Sequence, residues 1–237
     1  RQAAGAAAFG AQAVIYLAET VPESFAERLR SLGAEVVRAG SDYEASMDAA
    51  MQAAADTGAV LLSDSSWPGY TVRPHRLMEG YLALMAEIFE QIDAPPTHLF
   101  LQAGVGGLAG ACAAIARVHW GDATRIIVVE PEAAPCLIES IEAGKLVETT
   151  GPVSAMGRLD CKVASLIALK GLARDADDFM TISEAEGDAG AAFAAGSGFD
   201  STPSGAAGIA GLMAAKGTLG LGAGSRVLVI LSEQSDA

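Results

Sequence analysis

The sequence predicts an α/β protein in which mostly parallel sheets are flanked by helices. Short β-branched runs alternate with helical stretches, and such continuous apolar strands are typical of parallel sheets that are covered on both faces. Glycine and proline stand where elements should end, as at Pro22 and Gly33. The predicted strands cover residues 14–17, 35–38, 60–62, 99–102, 126–130, 179–182 and 227–231.

Helices are predicted between these strands, over residues 22–32, 43–56, 74–91 and 108–118. The Ala- and Gly-rich residues 1–10 are typical of the second half of a helix, which predicts an N-terminally incomplete chain. A chain of 237 residues can form one large domain or two smaller ones. We expect residues 1–57 to be the remainder of a small α/β domain and residues 58–237 to be most of a large one.

The composition excludes several classes of function. A net charge of −14 argues against a nucleic-acid partner, because phosphates would be repelled. No uncharged apolar run reaches the roughly 18 residues of a membrane span, so no membrane partner is expected. Cys112, Cys136 and Cys161 form no C-x-x-C pair and indicate the reduced thiols of a cytoplasmic protein. The three histidines lack metal-binding spacing, so no metal site is predicted.

Residues 99–110 are the most informative segment, because an apolar run ends there in a glycine cluster and a helix of small residues follows. A strand that ends in such a turn directs several backbone N–H groups at one point, where the helix dipole adds positive potential. The segment therefore predicts a phosphate site, with a tight turn before a packed helix as the alternative. Its spacing matches neither G-x-x-x-x-G-K-[ST] nor G-x-G-x-x-G.

Two further polar segments stand at expected element ends, at residues 63–70 and 201–208. Asp64 follows a predicted strand and is a candidate for proton transfer, with a turn or cap residue as the alternative. Ser204 precedes a Gly/Ala-rich helix, where a hydroxyl can act as an N-cap. Glu130 ends a predicted strand and either lines the cleft or completes the sheet.

Together these segments resemble the fold type II, tryptophan-synthase-β-like pyridoxal-phosphate enzymes, and among them the diaminopropionate ammonia-lyase family. Four motifs carry the resemblance: D-[ST]-x-W-x-G-Y at residues 64–70, T-H-x-x-L-Q-A-G-V-G at 97–106, I-V-V-E-P at 127–131 and Ser-Gly-x-x-Gly at 204–208. The resemblance implies pyridoxal 5'-phosphate as the cofactor. Its phosphate would be held by the segment Gly104, Val105, Gly106, Gly107 and Leu108.

The resemblance also implies roles for individual residues. Asp64 matches an aspartate that moves the substrate α-proton, and Ser204 matches a hydroxyl that hydrogen-bonds the pyridine nitrogen. The lysine that forms a Schiff base with the cofactor falls upstream of Arg1. Residues 160–165 stand in place of a Cys-Gly-Glu-Pro-like run, with Val163 and Ala164 replacing the Glu and Pro.

The function implied is a lyase that performs α,β-elimination on a small amino acid, such as 2,3-diaminopropionate, and releases pyruvate and ammonia. Relatives suggest a cytoplasmic homodimer. Residues 202–208 also resemble a segment of serine and threonine dehydratases, which leaves a dehydratase on the same scaffold as one alternative. A non-catalytic protein that binds a phosphorylated small molecule or an amino acid is the other.

Overall fold

The computed structural model describes residues 2–235 of the chain. The chain divides into two compact units, Arg1–Leu62 and Ser63–Ala237, whereas the division into small and large domains predicted after residue 57 stays a prediction. Over residues 2–235, none of the helices combines the length and the apolar character that a membrane crossing requires.

The first unit holds a two-stranded parallel sheet with three helices. Helix α3 (Tyr43–Thr57) begins where the Asp42 side chain accepts a hydrogen bond from the Ala45 backbone N–H at 2.8 Å. It ends at Gly58, which has the left-handed conformation. The buried residues in the core of the first unit are Ala3, Leu29 and Ala34. Its elements are α1 (Gln2–Ala8), β1 (Val14–Leu17), α2 (Glu23–Ser31), β2 (Glu35–Arg38) and α3 (Tyr43–Thr57).

The second unit is built on a four-stranded parallel sheet. Its strands lie in the order β5 (Asp178–Ile182), β4 (Arg125–Pro131), β3 (His98–Gln102) and β6 (Val227–Val229). The last strand in the chain therefore pairs with β3, the first strand of this unit. The elements are α4 (Val72–Gln91), β3 (His98–Gln102), α5 (Gly107–Trp120), β4 (Arg125–Pro131), α6 (Cys136–Ala143), α7 (Leu166–Asp175), β5 (Asp178–Ile182), α8 (Glu184–Gly196), α9 (Ala207–Ala214) and β6 (Val227–Val229).

Side chains of the central strands alternate between two buried layers, as the two-residue period of a strand requires. Leu99 and Leu101 pack in one layer with residues of α4, α5 and α7. Phe100 packs in the other layer with residues of α9, including Ala207 and Ala210. Both faces of the sheet are thus covered by helices, which confirms the predicted α/β class with mostly parallel sheets.

Six of the seven predicted strands are confirmed, with ends displaced by no more than two residues. The strand predicted at residues 60–62 is wrong, because this stretch is extended but pairs with no described strand. Val60 is 71% exposed and Leu62 is 46% exposed, so the short apolar run is not part of a buried sheet. Apolar character over three residues does not distinguish a strand from an exposed connection.

The close packing of α9 on the sheet predicts a strong effect for Gly211→Ala. A methyl group at this position would lie 2.6 Å from Val129 Cγ2, so helix or strand must shift. We expect the free energy of unfolding to fall by about 1–3 kcal/mol in a urea titration. Gly171→Ala in α7 is the matched control, because its methyl group meets nothing within 4 Å. An equal loss in both variants would contradict the packing argument.

Candidate functional site

The candidate site lies where the central strand β3 ends and helix α5 begins. The connection, residues 103–106, is buried and joins the carboxyl end of β3 to the N-terminus of a 14-residue helix. In parallel sheets the carboxyl ends of neighbouring strands lie at one edge, which is where α/β proteins bind ligands. We call residues Gly104–Leu108 the phosphate loop.

The backbone N–H groups of the phosphate loop are free to bind a ligand. Within the part of the chain that the structure describes, none of these N–H groups donates to a protein acceptor. The groups belong to Gly104, Val105, Gly106, Gly107 and Leu108. The loop carbonyls behave differently, because Gly104 O accepts from Cys136 Sγ at 3.6 Å and Val105 O accepts from Ser165 N at 2.9 Å. The unsatisfied groups are therefore all donors, an arrangement that suits an anion.

Glycine is required in this loop for two different reasons. Gly106 has φ of +94°, in the left-handed region that side chains rarely adopt. At Gly104 a Cβ would lie 3.0 Å from Cys161 Sγ and 3.1 Å from Arg158 O. The first glycine sets the direction of the chain into α5, and the second allows the segment around Arg158 to pack against the loop.

Glu130 supports the loop indirectly, because its side chain caps the N-terminus of helix α6, which packs against the loop. It is 1% exposed, and its two carboxylate oxygens accept from the backbone N–H groups of Leu137 at 2.7 Å and Ile138 at 2.8 Å. Burial raises the pKa of Glu130 to about 7, and the two backbone donors oppose this rise. Of the two predicted roles, the contacts correspond to the structural one, since they hold the start of α6 against Gly104 and Gly106.

Asp64 lies beside the phosphate loop. Its carbonyl oxygen is 3.7 Å from the position of a Cβ at Gly107, and its side chain is exposed. Its neighbours are fixed on both sides, because Ser63 N donates to Tyr70 Oη at 3.0 Å and Ser65 N donates to Ser63 Oγ at 3.1 Å. The carboxylate is thus carried by an ordered backbone next to the N-terminus of α5.

The turn that follows Asp64 is closed by an aromatic pair. The rings of Trp67 and Tyr70 stack with centroids 4.3 Å apart and planes 17° apart. Backbone hydrogen bonds also link the two residues in both directions, at 3.2 and 2.9 Å. The stack holds the Tyr70 hydroxyl at Ser63 and so contributes to the position of Asp64.

A chain of hydrogen bonds connects the Asp64 segment to the phosphate loop. Ser66 Oγ lies 2.7 Å from Ser165 Oγ, and Ser66 Oγ also accepts from Ile167 N at 2.9 Å. Ser165 N in turn donates to Val105 O at 2.9 Å. The N-terminus of α7 therefore joins two segments that are about 40 residues apart in sequence.

Ser204 is buried before helix α9, and its Oγ accepts from Arg158 N at 3.2 Å. Arg158 O also faces Gly104, so the segment around Arg158 contacts both predicted cofactor-binding segments. The structure thus brings Asp64, the phosphate loop and Ser204 to one region of the second unit. The role of each side chain remains a prediction.

Lys162 is engaged in structural contacts. Its Nζ donates to Ala133 O at 2.7 Å, Pro152 O at 3.0 Å and Asp160 Oδ1 at 2.6 Å. The adjacent Val163 forms an isolated antiparallel bridge with Glu148. The segment that departs from the Cys-Gly-Glu-Pro-like run is therefore fastened to its surroundings by an ammonium group and by main-chain pairing.

Sequence reasoning missed two polar residues at the same edge, Gln102 and Ser232. Gln102 Nε2 lies 3.0 Å from Ser232 Oγ, at the level where β3 and β6 end. Ser232 had a signal, because it directly follows a predicted strand. Gln102 belongs to the motif at residues 97–106, but its own role was missed because it is the last residue of an apolar strand.

These features fit the phosphate of a small cofactor. A dianion gains charge-assisted hydrogen bonds from several neutral N–H donors at a helix N-terminus and needs no neighbouring lysine. The left-handed Gly106 and the close packing at Gly104 leave the loop backbone, rather than side chains, to line the site. Fold and loop together define the class: an α/β protein with a candidate phosphate site at the carboxyl edge of its parallel sheet.

The particular family follows from comparison with known proteins. The chain belongs to the pyridoxal-phosphate dependent enzyme family, whose model matches residues 2–233. This membership confirms the resemblance seen in the motifs and the assignment of pyridoxal phosphate as the cofactor.

Two curated relatives and one solved structure show the extent of the similarity. Diaminopropionate ammonia-lyase of Escherichia coli K12 is 33% identical over 157 residues, which are 64% of this chain and 39% of the relative. A probable D-serine dehydratase of Rhizobium etli is 28% identical over 148 residues, or 59% of this chain and 32% of the relative. The crystal structure of diaminopropionate ammonia lyase from Escherichia coli superposes with a TM-score of 0.89 at 28% identity, covering 98% of this chain and 64% of that chain. The chain spans about two fifths of the length of the first relative.

Titration of Glu130 predicts a pH-dependent stability. Because its pKa is higher in the folded protein than the ordinary value of 4.5, its contribution to stability is complete below pH 4.5 and is lost as the pH rises through 7. We expect the free energy of unfolding of the wild type, relative to Glu130→Gln, to fall by at most about 3 kcal/mol between pH 4.5 and 7.5. Urea titrations at several pH values measure this difference.

Glu142→Gln is the matched control, since it removes an exposed carboxylate from the same helix α6. If Glu130→Gln and the wild type keep a constant difference in unfolding free energy across this pH range, the assigned titration of Glu130 is wrong.

Proposed function

We propose that this chain belongs to a pyridoxal-phosphate-dependent ammonia-lyase that eliminates the β-substituent of a small amino acid. The proposed substrate is 2,3-diaminopropionate, and the products are pyruvate and ammonia. The observation that carries the proposal is the position of the Asp64 segment beside a loop of five free backbone donors. Similarity to diaminopropionate ammonia-lyases over most of the chain supports this choice of substrate.

The phosphate loop would anchor the cofactor. When bound, pyridoxal phosphate supplies an electron-withdrawing ring that acidifies the Cα proton of the amino acid. The N–H groups from Gly104 to Leu108 hold the phosphate, and the N-terminus of α5 stabilises its charge. Burial of the loop excludes water from these hydrogen bonds and strengthens them.

Asp64 would act on the proton at Cα. Its exposed carboxylate stands next to the phosphate loop, and the backbone on either side is fixed by Ser63 and Tyr70. A positioned carboxylate of this kind can accept or return a proton as a general acid–base group. Elimination requires that the Cα proton be removed before the β-substituent leaves.

Ser204 would contact the ring nitrogen of the cofactor. Its Oγ already accepts from Arg158 N, so the hydroxyl proton is left to be donated. A neutral hydroxyl donor leaves the ring nitrogen unprotonated, which makes the ring a weaker electron sink. A weaker sink suits β-elimination better than reactions that need a longer-lived carbanion.

A dehydratase acting on serine is the second candidate function. Probable D-serine dehydratases that are 27–30% identical over 148–194 residues favour it. In this reaction the leaving group is a hydroxyl instead of an amine. Proton removal at Cα and anchoring of phosphate are common to both reactions.

Substrate comparison tests the proposal and separates the two candidates. We expect the holoenzyme to form pyruvate from diaminopropionate with a higher kcat/KM than from either enantiomer of serine, and to act least on threonine. A preference for D-serine would replace the lyase proposal by the dehydratase. Binding of pyridoxal phosphate without turnover of any of these amino acids would favour the non-catalytic binding protein.

Asp64→Asn tests the proton-transfer role. Loss of the carboxylate at constant shape should lower kcat by about 10²–10⁴-fold while cofactor affinity is retained. Pyruvate formation from each enantiomer of diaminopropionate measures the effect. Asp93→Asn, which changes an exposed aspartate after α4, is the matched control. Unchanged elimination from both enantiomers in the Asp64 variant would remove Asp64 from the mechanism.

We also infer a cytoplasmic homodimer. The three cysteines are buried and form no disulfide, as expected of thiols in a reducing compartment. Burial raises the pKa of Cys112 to about 12, so this thiol is unreactive.

A further inference from the structure

The side chain of Gln102 joins three segments at the carboxyl edge of the sheet. It is 3% exposed, and its Nε2 lies 3.0 Å from Gly205 O, 2.8 Å from Ile230 O and 3.0 Å from Ser232 Oγ. The partners precede α9 and follow β6, and they are 103–130 residues away in sequence. One amide group therefore fixes segments that the backbone alone does not connect.

Gln102 is also close to the phosphate loop along the chain, because Gly104 follows two residues later. Its partner Gly205 directly follows Ser204. The Gln102 side chain thus links the strand that leads into the phosphate loop to the segments that carry Ser204 and Ser232, and so affects the distance between the loop and these hydroxyls. A rigid cofactor with its phosphate at one end and a ring nitrogen at the other requires this distance to be constant.

The side-chain amide of Gln102 is tightly packed, and its oxygen has no hydrogen-bond partner among the described residues. This oxygen, Oε1, is buried. A Cβ at Gly208 would lie only 3.2 Å from this oxygen. A buried acceptor without a partner destabilises the folded protein, so the contacts of the NH₂ group have to offset this loss. An apolar side chain of similar volume would fill the space without that cost, which points to positioning as the contribution of the amide.

We propose that Gln102 is a positioning residue that sets the spacing between the phosphate loop and the hydroxyls of Ser204 and Ser232, and thereby the tilt of the bound cofactor ring. The inference rests on the proposed function, in which the phosphate loop holds the phosphate of the cofactor and Ser204 contacts its ring nitrogen. Gln102 itself acts through Gly205 and Ser232.

Two variants of Gln102 separate positioning from stability. Gln102→Met keeps the approximate volume and removes the donors. Gln102→Glu keeps the shape but presents an oxygen to the carbonyls of Gly205 and Ile230, which it repels when ionised. In the holoenzyme we expect both to weaken pyridoxal phosphate affinity at least tenfold and to change the visible circular-dichroism band of the bound cofactor.

Inorganic phosphate is the second probe, because it needs the phosphate loop alone. We expect its affinity, measured by competition with pyridoxal phosphate, to be the same in the wild type and both variants. Equal losses of phosphate and cofactor affinity would show that Gln102 only stabilises the fold and would overturn the inference. If inorganic phosphate fails to compete even in the wild type, the phosphate loop is wrongly assigned and the proposed function fails with it.

Thr124→Val is the matched control. Thr124 is 1% exposed, and its Oγ1 donates to Pro96 O at 2.7 Å, at the amino end of β4 away from the loop. This variant should lower the melting temperature without changing the circular-dichroism band or the cofactor affinity. If Gln102→Met does not fold, Gln102→Glu carries the test, since its shape is unchanged. An unaltered band and affinity in Gln102→Glu would contradict the inference.

Discussion

The site depends on a set of backbone donors at the N-terminus of α5. Five consecutive N–H groups there have no acceptor among residues 2–235, although the loop that carries them is buried. The carbonyls of Gly104 and Val105, by contrast, are bonded to groups from α6 and α7. Buried donors without acceptors are costly, so the loop is suited to a bound anion that accepts from them.

The surrounding contacts keep this arrangement in place. Glu130 fixes the start of α6 beneath the loop, and Ser165 fixes the start of α7 beside it. Ser66 bonds to Ser165 and thereby brings the segment of Asp64 to the same helix ends. The phosphate loop and the Asp64 segment are therefore positioned by shared neighbours, and a change in α7 affects both.

Local features of the site could be predicted from the sequence, and distant contacts could not. The phosphate loop is a local signal, because a strand, a glycine cluster and a helix follow each other within twelve residues. Asp64 was recognised from its own motif. The contacts of Gln102 depend on residues more than 100 positions away, and nothing near it in the sequence indicates them. The strand predicted at residues 60–62 was wrong because its signal was purely local. Three apolar residues suggest a strand, but a strand also needs a pairing partner, and these residues are largely exposed.

The order of the strands has a consequence for biosynthesis. β6, the last strand in the chain, pairs with β3, and Ile230 and Ser232 complete the contacts of Gln102. On the ribosome β3 is made more than 120 residues before β6, so one edge of the central sheet stays unpaired until β6 has been made. During that interval β3 presents an open edge on which other chains can add. Pairing with β6 therefore closes this edge only after the segment up to Val229 has been made.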